Sequence, residues 1–441
     1  MNHTLPLSDT PHTAAQAPRA FLQRLFEAAI RAADPALVVP PALPPAPRGR
    51  TIVIGAGKAS AGMAAALEAH WKGPLEGIVI TRNGQGCEGA SCRQIEIVEA
   101  AHPVPDAAGQ EATRRIHDLL RGLGPDDLVI ALISGGGSSL LSMPLEGVSF
   151  TQKQEINRAL LRSGATIGEM NVVRQHLSSV KGGRLAALAA PARMVTLLIS
   201  DVPGDAPETI ASGPTVPTSA TRQDALAIVR RFGLELPENV RALLEHEAAD
   251  SPAPDAPFFA QNSVHVLASA RQSLAAAQAV AQAEGIRAIV LSDRIEGEAR
   301  EVAKPLGAIA LECALAGAPF PPPVVLLSGG ETTVTVHGNG RGGRNSEFGL
   351  SAALTLQGQS RICGLAADTD GIDGMENNAG VFFDGQSIAR LRAQGHDPHA
   401  LLADNDAWSA FSALDDLFIT GPTGTNVNDF RAILISAPED G

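Results

Sequence analysis

The feature that most constrains the fold is the segment DLVIALISGGGSSLL at residues 127–141, where an apolar run ends in three glycines and two serines. The run at residues 128–133 does not alternate between apolar and polar residues, which is typical of a strand buried in a parallel sheet with helices on both faces. The segment therefore predicts an α/β fold in which this strand leads directly into a glycine-rich turn.

The turn has the properties of an anion-binding site. Glycine residues expose backbone N–H groups that no side chain crowds, and serine residues can cap the helix that follows. Because N–H groups at a helix N-terminus attract anions, we predict that an anion of the size of a phosphate group binds over this turn. The turn consists of Ser134, Gly135, Gly136, Gly137, Ser138 and Ser139. A βα turn with only a structural role is the alternative interpretation.

Composition and charge narrow the class of protein. A chain of 441 residues exceeds a typical single domain, so two α/β domains are expected. The net charge of -13 argues against a nucleic-acid or membrane-surface partner, because both are polyanions. The four cysteines lack the spacing of a zinc site or a disulfide framework, and no apolar stretch reaches the ~20 residues of a membrane helix. We expect a cytoplasmic protein, and the oligomeric state is left open.

The sequence also indicates where the domains divide. We expect residues 1–17 to be disordered, residues 18–250 to form a Rossmann-like N-terminal domain, and residues 251–441 to form a smaller α/β C-terminal domain. The segment EHEAADSPAPDAPFFAQ has the composition of a linker, and a second series of strand–turn–helix units begins with VHVLAS.

Two cations stand at predicted helix N-termini, where a positive charge opposes the helix dipole by roughly 0.3–1 kcal/mol. Lys58 lies in GAGKAS, and Arg344 lies in GRGGRNSE just before Asn345 and Ser346, which are capable caps. An anionic ligand beside each cation would make its position favourable. A solvated surface lysine is the alternative for Lys58.

A basic segment follows between two of the predicted strands. VRQHLSSVKGGR brings together Arg174, His176, Lys181 and Arg184. Basic residues gathered in an acidic protein favour an anion pocket, and a solvated helix face is the alternative interpretation.

Three acids are candidates for a magnesium site. Asp201 in SDVPGD follows an apolar strand directly, and the carboxyl ends of parallel strands are where such sheets bind ligands. Glu331 in SGGETTV and Asp370 in DTDGIDG are the other two. An Asx-rich turn is the alternative for the segment around Asp370.

Several of these motifs occur in one order and together resemble the MOFRL-type glycerate 2-kinases. They are GAGKAS, SGGGSS, VRQHLSSVKGG, SDVPGD with ASGPTVP, SGGETTV, GRGGRNSE and DTDGIDG, within residues 21–436. The resemblance implies a larger Rossmann-like N-terminal domain, a smaller α/β C-terminal domain, and an active site in the cleft between them. It further implies ATP-dependent phosphorylation of glycerate at the 2-hydroxyl with Mg²⁺, giving 2-phosphoglycerate and ADP. Lys58 and Arg344 match the residues regarded as active-site residues in that family.

Combining the motifs with the resemblance gives a set of expected roles. The phosphates of ATP are expected to bind over the glycine turn at residues 134–139. Lys58 and Arg344 are expected to bind substrate and act in catalysis, and Arg174 and Lys181 to bind substrate. The expected metal ligands are Asp201, Glu331 and Asp370, with Asp201 or Asp370 orienting or deprotonating the 2-hydroxyl.

Two other functions remain as alternatives. Some family members are labelled hydroxypyruvate reductases, which would need an NAD(P)H site, but the turn at Gly55 and Gly57 has Ser60 in place of the third glycine of a dinucleotide fingerprint. A non-catalytic sensor of sugar acids or sugar phosphates could use the same anion-binding turns, but it would have no need for three acids suited to a metal.

Overall fold

The computed structural model describes residues 17–86 and 92–438, so the expected disordered N-terminus lies outside the described residues except for Ala17. The chain divides into two compact units. The first unit comprises Ala32–Ser269 and Pro422–Val427, and the second comprises the chain up to Arg31, Ala270–Gly421 and the chain from Asn428.

Helix α1 (Pro18–Arg31) is the first described element and belongs to the second unit. The strands of the first unit are β1 (Thr51–Ala56), β2 (Glu76–Arg82), β3 (Ile95–Ala100), β4 (Leu128–Ser134), β5 (Arg193–Ile199) and β6 (Ser263–Ala268). Its helices are α2 (Pro35–Val38), α3 (Ser60–His70), α4 (Ala107–Leu119), α5 (Gly137–Leu140), α6 (Phe150–Arg162), α7 (Ile167–His176), α8 (Arg184–Ala189), α9 (Arg222–Arg231) and α10 (Glu238–Glu245). Short 3-10 helices occur at Pro40–Ala42, Ile210–Ser212, Glu247–Ala249 and Pro257–Gln261.

The first unit is built on a parallel sheet with the strand order β3-β2-β1-β4-β5-β6. This is the order of a Rossmann fold, in which the connections change direction between β1 and β4. The crevice at the carboxyl ends of those two strands is where sheets of this kind bind ligands. The predicted Rossmann-like N-terminal fold is therefore confirmed.

The apolar run of β4 is explained by burial on both faces of this sheet. All seven residues of β4 are buried. Val129 and Ile133 pack in the apolar cluster on one face, whereas Ile130 and Leu132 pack in the cluster on the other. Successive side chains of a strand point to opposite faces, so an apolar residue is required at every position. The predicted buried parallel strand is confirmed.

The two units divide at other positions than residue 250. β6 lies beyond that position and extends the first sheet by pairing in parallel with β5, so the first sheet ends at Ala268. Helix α1 buries Phe21 and Phe26 in an apolar cluster of the second unit, where the Phe26 ring meets the Phe418 ring edge-on at 5.0 Å. Backbone pairing therefore assigns β6 to the first unit, and apolar burial assigns α1 to the second unit although α1 precedes the first unit in the sequence.

The second unit contains a mixed sheet. Its strands are β7 (Arg287–Glu298), β8 (Val324–Thr333), β9 (Ile362–Asp368), β10 (Gly380–Asp384), β11 (Leu417–Phe418) and β12 (Asp429–Ile435). Its helices besides α1 are α11 (Ala270–Ala283), α12 (Ala299–Ala316), α13 (Arg344–Thr355), α14 (Ser387–Ala393), α15 (Pro398–Ala403) and α16 (Ala407–Leu414). The strand order is β11-β10-β9-β12-β8-β7, with β7 and β8 parallel and the other pairs antiparallel. The α/β class predicted for this part of the chain is confirmed.

A bilayer span requires a long apolar helix, and the helices of residues 17–86 and 92–438 do not meet this requirement.

Candidate active site

The turns that follow β1 and β4 lie side by side at the switch point of the first sheet. The backbone N–H of Lys58 donates to the carbonyl of Gly135 at 2.8 Å. The N–H of Ala59 donates to Oγ of Ser134 at 3.0 Å, and this serine is completely buried. Ser134 therefore links the two turns, and its hydroxyl is used in a hydrogen bond within the protein.

The glycine turn, residues 134–139, has polar and charged side chains packed directly against it. A Cβ atom on Gly135 would lie 2.0 Å from Oδ2 of Asp201 and 2.5 Å from Nδ2 of Asn426. A Cβ atom on Gly136 would lie 3.1 Å from the ring of His102 and 3.4 Å from Cγ of Lys58. Only glycine leaves space for these side chains, so the turn is closely lined by a lysine, a carboxylate, an imidazole and an amide.

The backbone of the turn also requires glycine. Gly136 has φ +78°, a left-handed conformation that favours glycine, and it is the residue that precedes α5. Ser138 and Ser139 lie inside α5, and Oγ of Ser139 donates back to the carbonyl of Gly136 at 3.1 Å. The expectation that these serines cap a helix is wrong, because the helix begins at Gly137 and spans four residues. A dipole from a single helical turn is weak, so anion binding here would depend on local N–H groups and nearby charges.

Asp201 lies two residues after the last residue of β5, and its half-buried side chain faces the glycine turn. The structure thus brings together three elements that the sequence identified separately, GAGKAS, SGGGSS and SDVPGD. Sequence reasoning missed His102 and Asn426, which stand in no recognised motif and reach this place through loops at residues 101–106 and 422–427.

The basic segment of the first unit has two different roles. Lys181 is 1% exposed, and its ammonium donates to the carbonyl of Ser138 at 2.7 Å and to Oγ of Ser138 at 3.0 Å. It therefore holds the end of the glycine turn. Burial, followed by the positive charges of Lys153 and Arg174, holds the pKa of Lys181 well below its ordinary value. Arg184 instead donates to the carbonyls of Ala249 and Asp250, so it stabilises a loop and does not join this group.

In the second unit, Arg344 lies at the first residue of α13 and is enclosed by acids. Its Nε donates to Oδ1 of Asp429 at 2.6 Å, its Nη2 to Oδ2 of Asp368 at 2.9 Å, and its Nη1 to Oε1 of Glu331 at 3.1 Å. Burial alone would lower the pKa of this guanidinium, but the three negative charges raise it well above its ordinary value. The argument that only an anionic ligand could make this position favourable is wrong, because the protein supplies the anions itself.

The N-terminus of α13 is capped by a distant residue. Oδ1 of Asp373 accepts from the N–H of Asn345 at 2.9 Å, and Oδ2 accepts from the N–H of Ser346 at 2.8 Å. Asn345 and Ser346 donate backbone N–H groups to this cap, and neither caps the helix as the sequence suggested. Burial raises the pKa of Asp373 despite these hydrogen bonds, which favour its ionised form.

The acids predicted to bind magnesium have other contacts in the second unit. Oδ1 of Asp370 accepts from the N–H of Ile372 at 2.9 Å, and the N–H of Asp370 donates to Asp368 at 3.0 Å. These contacts are typical of Asx turns, the alternative considered for this segment. Glu331 is half-exposed and pairs with Arg344.

The magnesium prediction also depends on how the side chains that can bind a metal ion are grouped. In the part of the chain that the structure describes, no three His, Cys, Asp or Glu side chains are grouped so as to hold a metal ion. Glu331 and Asp370 have contacts within the second unit that need no metal, and the magnesium role of Asp201, Glu331 and Asp370 stays a prediction. Asp201 alone still suits Mg²⁺, because this ion is commonly held by one or two carboxylates together with substrate phosphates.

Comparison with known proteins agrees with this architecture. A model of a domain of unknown function (DUF4147) matches residues 21–245, and the model of the MOFRL family matches residues 324–429. A D-glycerate 2-kinase of Thermotoga maritima is 41% identical over 414 residues, which cover 93% of this chain and 97% of that protein. The crystal structure of a glycerate kinase from the same organism has a TM-score of 0.84 and 39% identity, covering 95% of this chain and 100% of that one.

A protein of Agrobacterium vitis that carries a provisional hydroxypyruvate reductase name is 51% identical over 420 residues, which cover 95% of this chain and 94% of that protein. The same family therefore includes two activity names. Because the two family models follow one another along the chain and these relatives span both, the chain belongs to the MOFRL family.

Proposed function

We propose that this protein is a glycerate 2-kinase, which transfers the γ-phosphoryl group of ATP to the 2-hydroxyl of glycerate and releases ADP and 2-phosphoglycerate. The observation that carries the proposal is the lining of the glycine turn by Lys58 and Asp201 at the switch point of a Rossmann-type sheet. Phosphoryl transfer needs positioning, positive charge and a metal-suited acid more than it needs covalent chemistry. The relatives named glycerate kinase supply the identity of the substrates.

The nucleotide phosphates are proposed to bind over the glycine turn. The close contacts of Gly135 and Gly136 bring the side chains of Asp201 and Lys58 to the turn. Because the side chain of Ser134 is completely buried, we propose that the backbone from Gly135 onward makes the contacts with phosphate. Lys58 would stabilise the negative charge that shifts between oxygens as the phosphoryl group moves.

Magnesium fits this site through Asp201. When bound, Mg²⁺ would neutralise phosphate charge and fix the geometry of the triphosphate. One acid, Asp201 or Asp370, is proposed to orient or deprotonate the 2-hydroxyl. The bond from the bridging oxygen to the γ-phosphorus breaks, the bond from that phosphorus to the 2-oxygen forms, and the hydroxyl proton passes to the carboxylate.

Roles for the predicted substrate-binding residues follow from their contacts. Arg174 and Lys181 are proposed to interact with an acidic part of the substrates in the first unit. For Arg344 we propose that any contact with substrate is made while it also holds Asp429, Asp368 and Glu331, since a guanidinium has five N–H donors. Glu331 is proposed to support Arg344, and Asp370 is proposed to support the turn in which it lies, in addition to the metal role predicted for both.

The name of the Agrobacterium relative favours one second candidate, an NAD(P)H-dependent hydroxypyruvate reductase. The sheet order suits a dinucleotide as well as ATP. The position of the missing third glycine is taken by Ser60, which is buried and whose Oγ donates to the carbonyl of Leu132 at 3.0 Å. This serine fills the place where a glycine would allow the close helix–strand packing of a dinucleotide fold.

One experiment separates the two candidates. The purified protein is incubated with D-glycerate, ATP and Mg²⁺, and separately with hydroxypyruvate and NADH or NADPH. We expect 2-phosphoglycerate and ADP in equal amounts in the first mixture, and no oxidation of the nicotinamide in the second. Reduction of hydroxypyruvate without phosphorylation of glycerate would refute the proposal.

A further inference from the structure

A group of three cations lies beside the glycine turn and contains no acid. This cation cluster consists of Lys153 on α6, Arg174 on α7 and Lys181 in the loop after α7. Like charges in the cluster affect one another, since Arg174 lowers the pKa of Lys153 and both of these cations lower that of Lys181. Among the described residues, none of the three forms an ion pair with a carboxylate, and the groups that accept hydrogen bonds from Arg174 and Lys181 are neutral.

Lys153 is the member whose ammonium group has no partner. Part of its stem is accessible, but Nζ is buried and makes no hydrogen bond. Burial, followed by the charge of Arg174, lowers the pKa of Lys153 to about 7. An ammonium has three N–H donors, and leaving them unsatisfied away from water is unfavourable.

The surrounding polar groups hold the other two cations in place. Asn157 lies one turn after Lys153 on α6 and accepts from Nε of Arg174 at 2.7 Å. Nη1 of Arg174 donates to Oδ1 of Asn171 at 3.3 Å. These neutral amides orient the guanidinium without cancelling its charge, and they leave part of its donor set unused.

Lys181 connects the cluster to the turn. Its ammonium bonds the carbonyl and Oγ of Ser138 and lies 3.5 Å from the carbonyl of Ala211, so its three donors are occupied. Oγ of Ser138 in turn lies 2.8 Å from Oγ of Ser212, which donates to Asn171 at 3.4 Å. The cluster is therefore continuous with the glycine turn through a chain of hydrogen bonds.

Buried charges are normally paired, because removing an ion from water costs several kcal/mol that only a partner can offset. We propose that the cation cluster is an oxyanion subsite, in which Lys153 and Arg174 donate hydrogen bonds to the bound oxyanion while Lys181 adds charge. The inference rests on the proposed function for the source of the oxyanion, which is either the carboxylate of glycerate or a phosphate of the nucleotide. Free donors on only two side chains suit one small anionic group.

The test compares Lys153→Met with the matched control Lys304→Met, which also removes one positive charge but from an exposed lysine paired with Glu301. Binding of D-glycerate alone, ADP alone and inorganic phosphate is measured by calorimetry without turnover. We expect Lys153→Met to bind one class of oxyanion about tenfold or more weakly, since a charge-assisted hydrogen bond is lost. Lys153→Gln, which keeps a polar end, serves as a second variant if the methionine variant does not fold.

Each outcome of the binding measurements either identifies the ligand of the cation cluster or shows that the cluster does not bind an oxyanion. A loss for glycerate alone assigns the cluster to the carboxylate, and a loss for ADP and phosphate assigns it to the nucleotide. Unchanged affinities in the Lys153 variants, or failure of the unaltered protein to bind any of the three probes, would overturn the proposal. Absence of glycerate phosphorylation would refute the kinase function but would leave an anion site detected by direct binding in place.

Discussion

Nε of Arg344 donates to Oδ1 of Asp429 at 2.6 Å, and the aspartate that receives this bond is almost fully buried. Asp429 also pairs with the buried Arg431, so one carboxylate lies between two guanidinium groups. The charges of Arg344 and Arg431 outweigh the effect of burial and lower the pKa of Asp429. Arg344 is therefore part of the framework of the second unit as well as a candidate for contact with substrate.

The first prediction follows from this double role. Arg344→Ala takes away the cation that pairs with Asp368 and one of the two that pair with Asp429, so we expect the free energy of unfolding to fall by about 3–5 kcal/mol, as when one member of a buried ion pair is removed. Glycerate phosphorylation should fall about 10²-fold even where the variant is folded. Urea unfolding and steady-state kinetics measure the two effects.

Two further variants control this prediction. Arg344→Lys keeps the charge but not the planar fork that reaches three carboxylates, so it should restore only part of the stability and activity. Arg341→Ala removes a neighbouring exposed arginine that pairs with Glu376, and it should cost no more than about 1–2 kcal/mol. Full stability of Arg344→Ala would show that the carboxylates do not depend on this cation.

The second prediction concerns Lys58. Its stem passes beside Gly136, so its charge lies close to the turn proposed to hold phosphates. We expect Lys58→Ala to lower kcat about 10²-fold with little change in melting temperature, because the lost interaction is strongest with the moving phosphoryl group. Lys72→Ala, which removes an exposed lysine just after α3, is the control. A kcat near that of the unaltered protein would remove Lys58 from the mechanism.

The parts of the site that sequence could predict are those fixed by local geometry. β4 was predictable because burial on both faces requires apolar residues throughout, and the glycine turn was predictable because three consecutive glycines follow a buried strand. The approach of Asp201 to that turn followed from its place at the end of a parallel strand.

The parts that sequence could not predict depend on pairing between distant segments. Arg344 meets Glu331, Asp368 and Asp429, which are 13, 24 and 85 positions away along the chain. The cap of α13 comes from Asp373, some 27 positions beyond Ser346. β6 joins the first sheet only because its backbone pairs with β5. No composition or periodicity near any of these residues encodes its partner.

The third prediction tests the glycine turn. Gly136→Val introduces a side chain where a Cβ atom would already lie 3.1 Å from His102, so we expect ATP binding to weaken about tenfold or more. The matched control is Gly122→Val, since Gly122 has a similar φ of +73° but no atom within 4 Å of its Cβ position. Both variants incur the left-handed strain of about 1–2 kcal/mol, and only Gly136→Val crowds the site. Equal ATP affinity of the two variants by calorimetry would contradict the assignment.

The fourth prediction concerns the acid beside the turn. Asp201→Asn keeps the size of the side chain, and hence its packing against Gly135, but removes the negative charge. We expect turnover to fall and the Mg²⁺ concentration needed for half-maximal activity to rise, because a neutral amide is a weaker ligand for a hard cation. Asp205→Asn changes the same residue type in the same loop at a φ of 56°, which asparagine tolerates. If Asp201→Asn matched this control in both measurements, Asp201 would not be a magnesium ligand.

The final prediction concerns the pH dependence of folding stability. Burial lowers the pKa of Lys153 to about 7, and this shift should be visible in the free energy of unfolding. An unfolded lysine keeps its proton to about pH 10.4, so between pH 7 and that value the unfolded state binds one more proton than the folded state. Stability contributed by this group therefore rises with pH across the interval, by about 1.4 kcal/mol per pH unit. Below pH 7 both states are protonated, and the cost of the buried charge is fully present.

Lys153→Met removes that cost, so in the absence of anions it should be more stable than the unaltered protein at pH 6, and the difference should shrink as the pH rises to 9. Arg174 and Lys181, the charged groups that face Lys153, are present in both proteins and largely cancel in the comparison. A bound oxyanion would favour the ammonium, so the KM for the substrate that supplies it should increase above pH 7. Urea unfolding at several pH values, with Lys304→Met as the reference, measures the stability difference. A difference that does not change with pH would mean that Lys153 is charged and solvated in the folded protein.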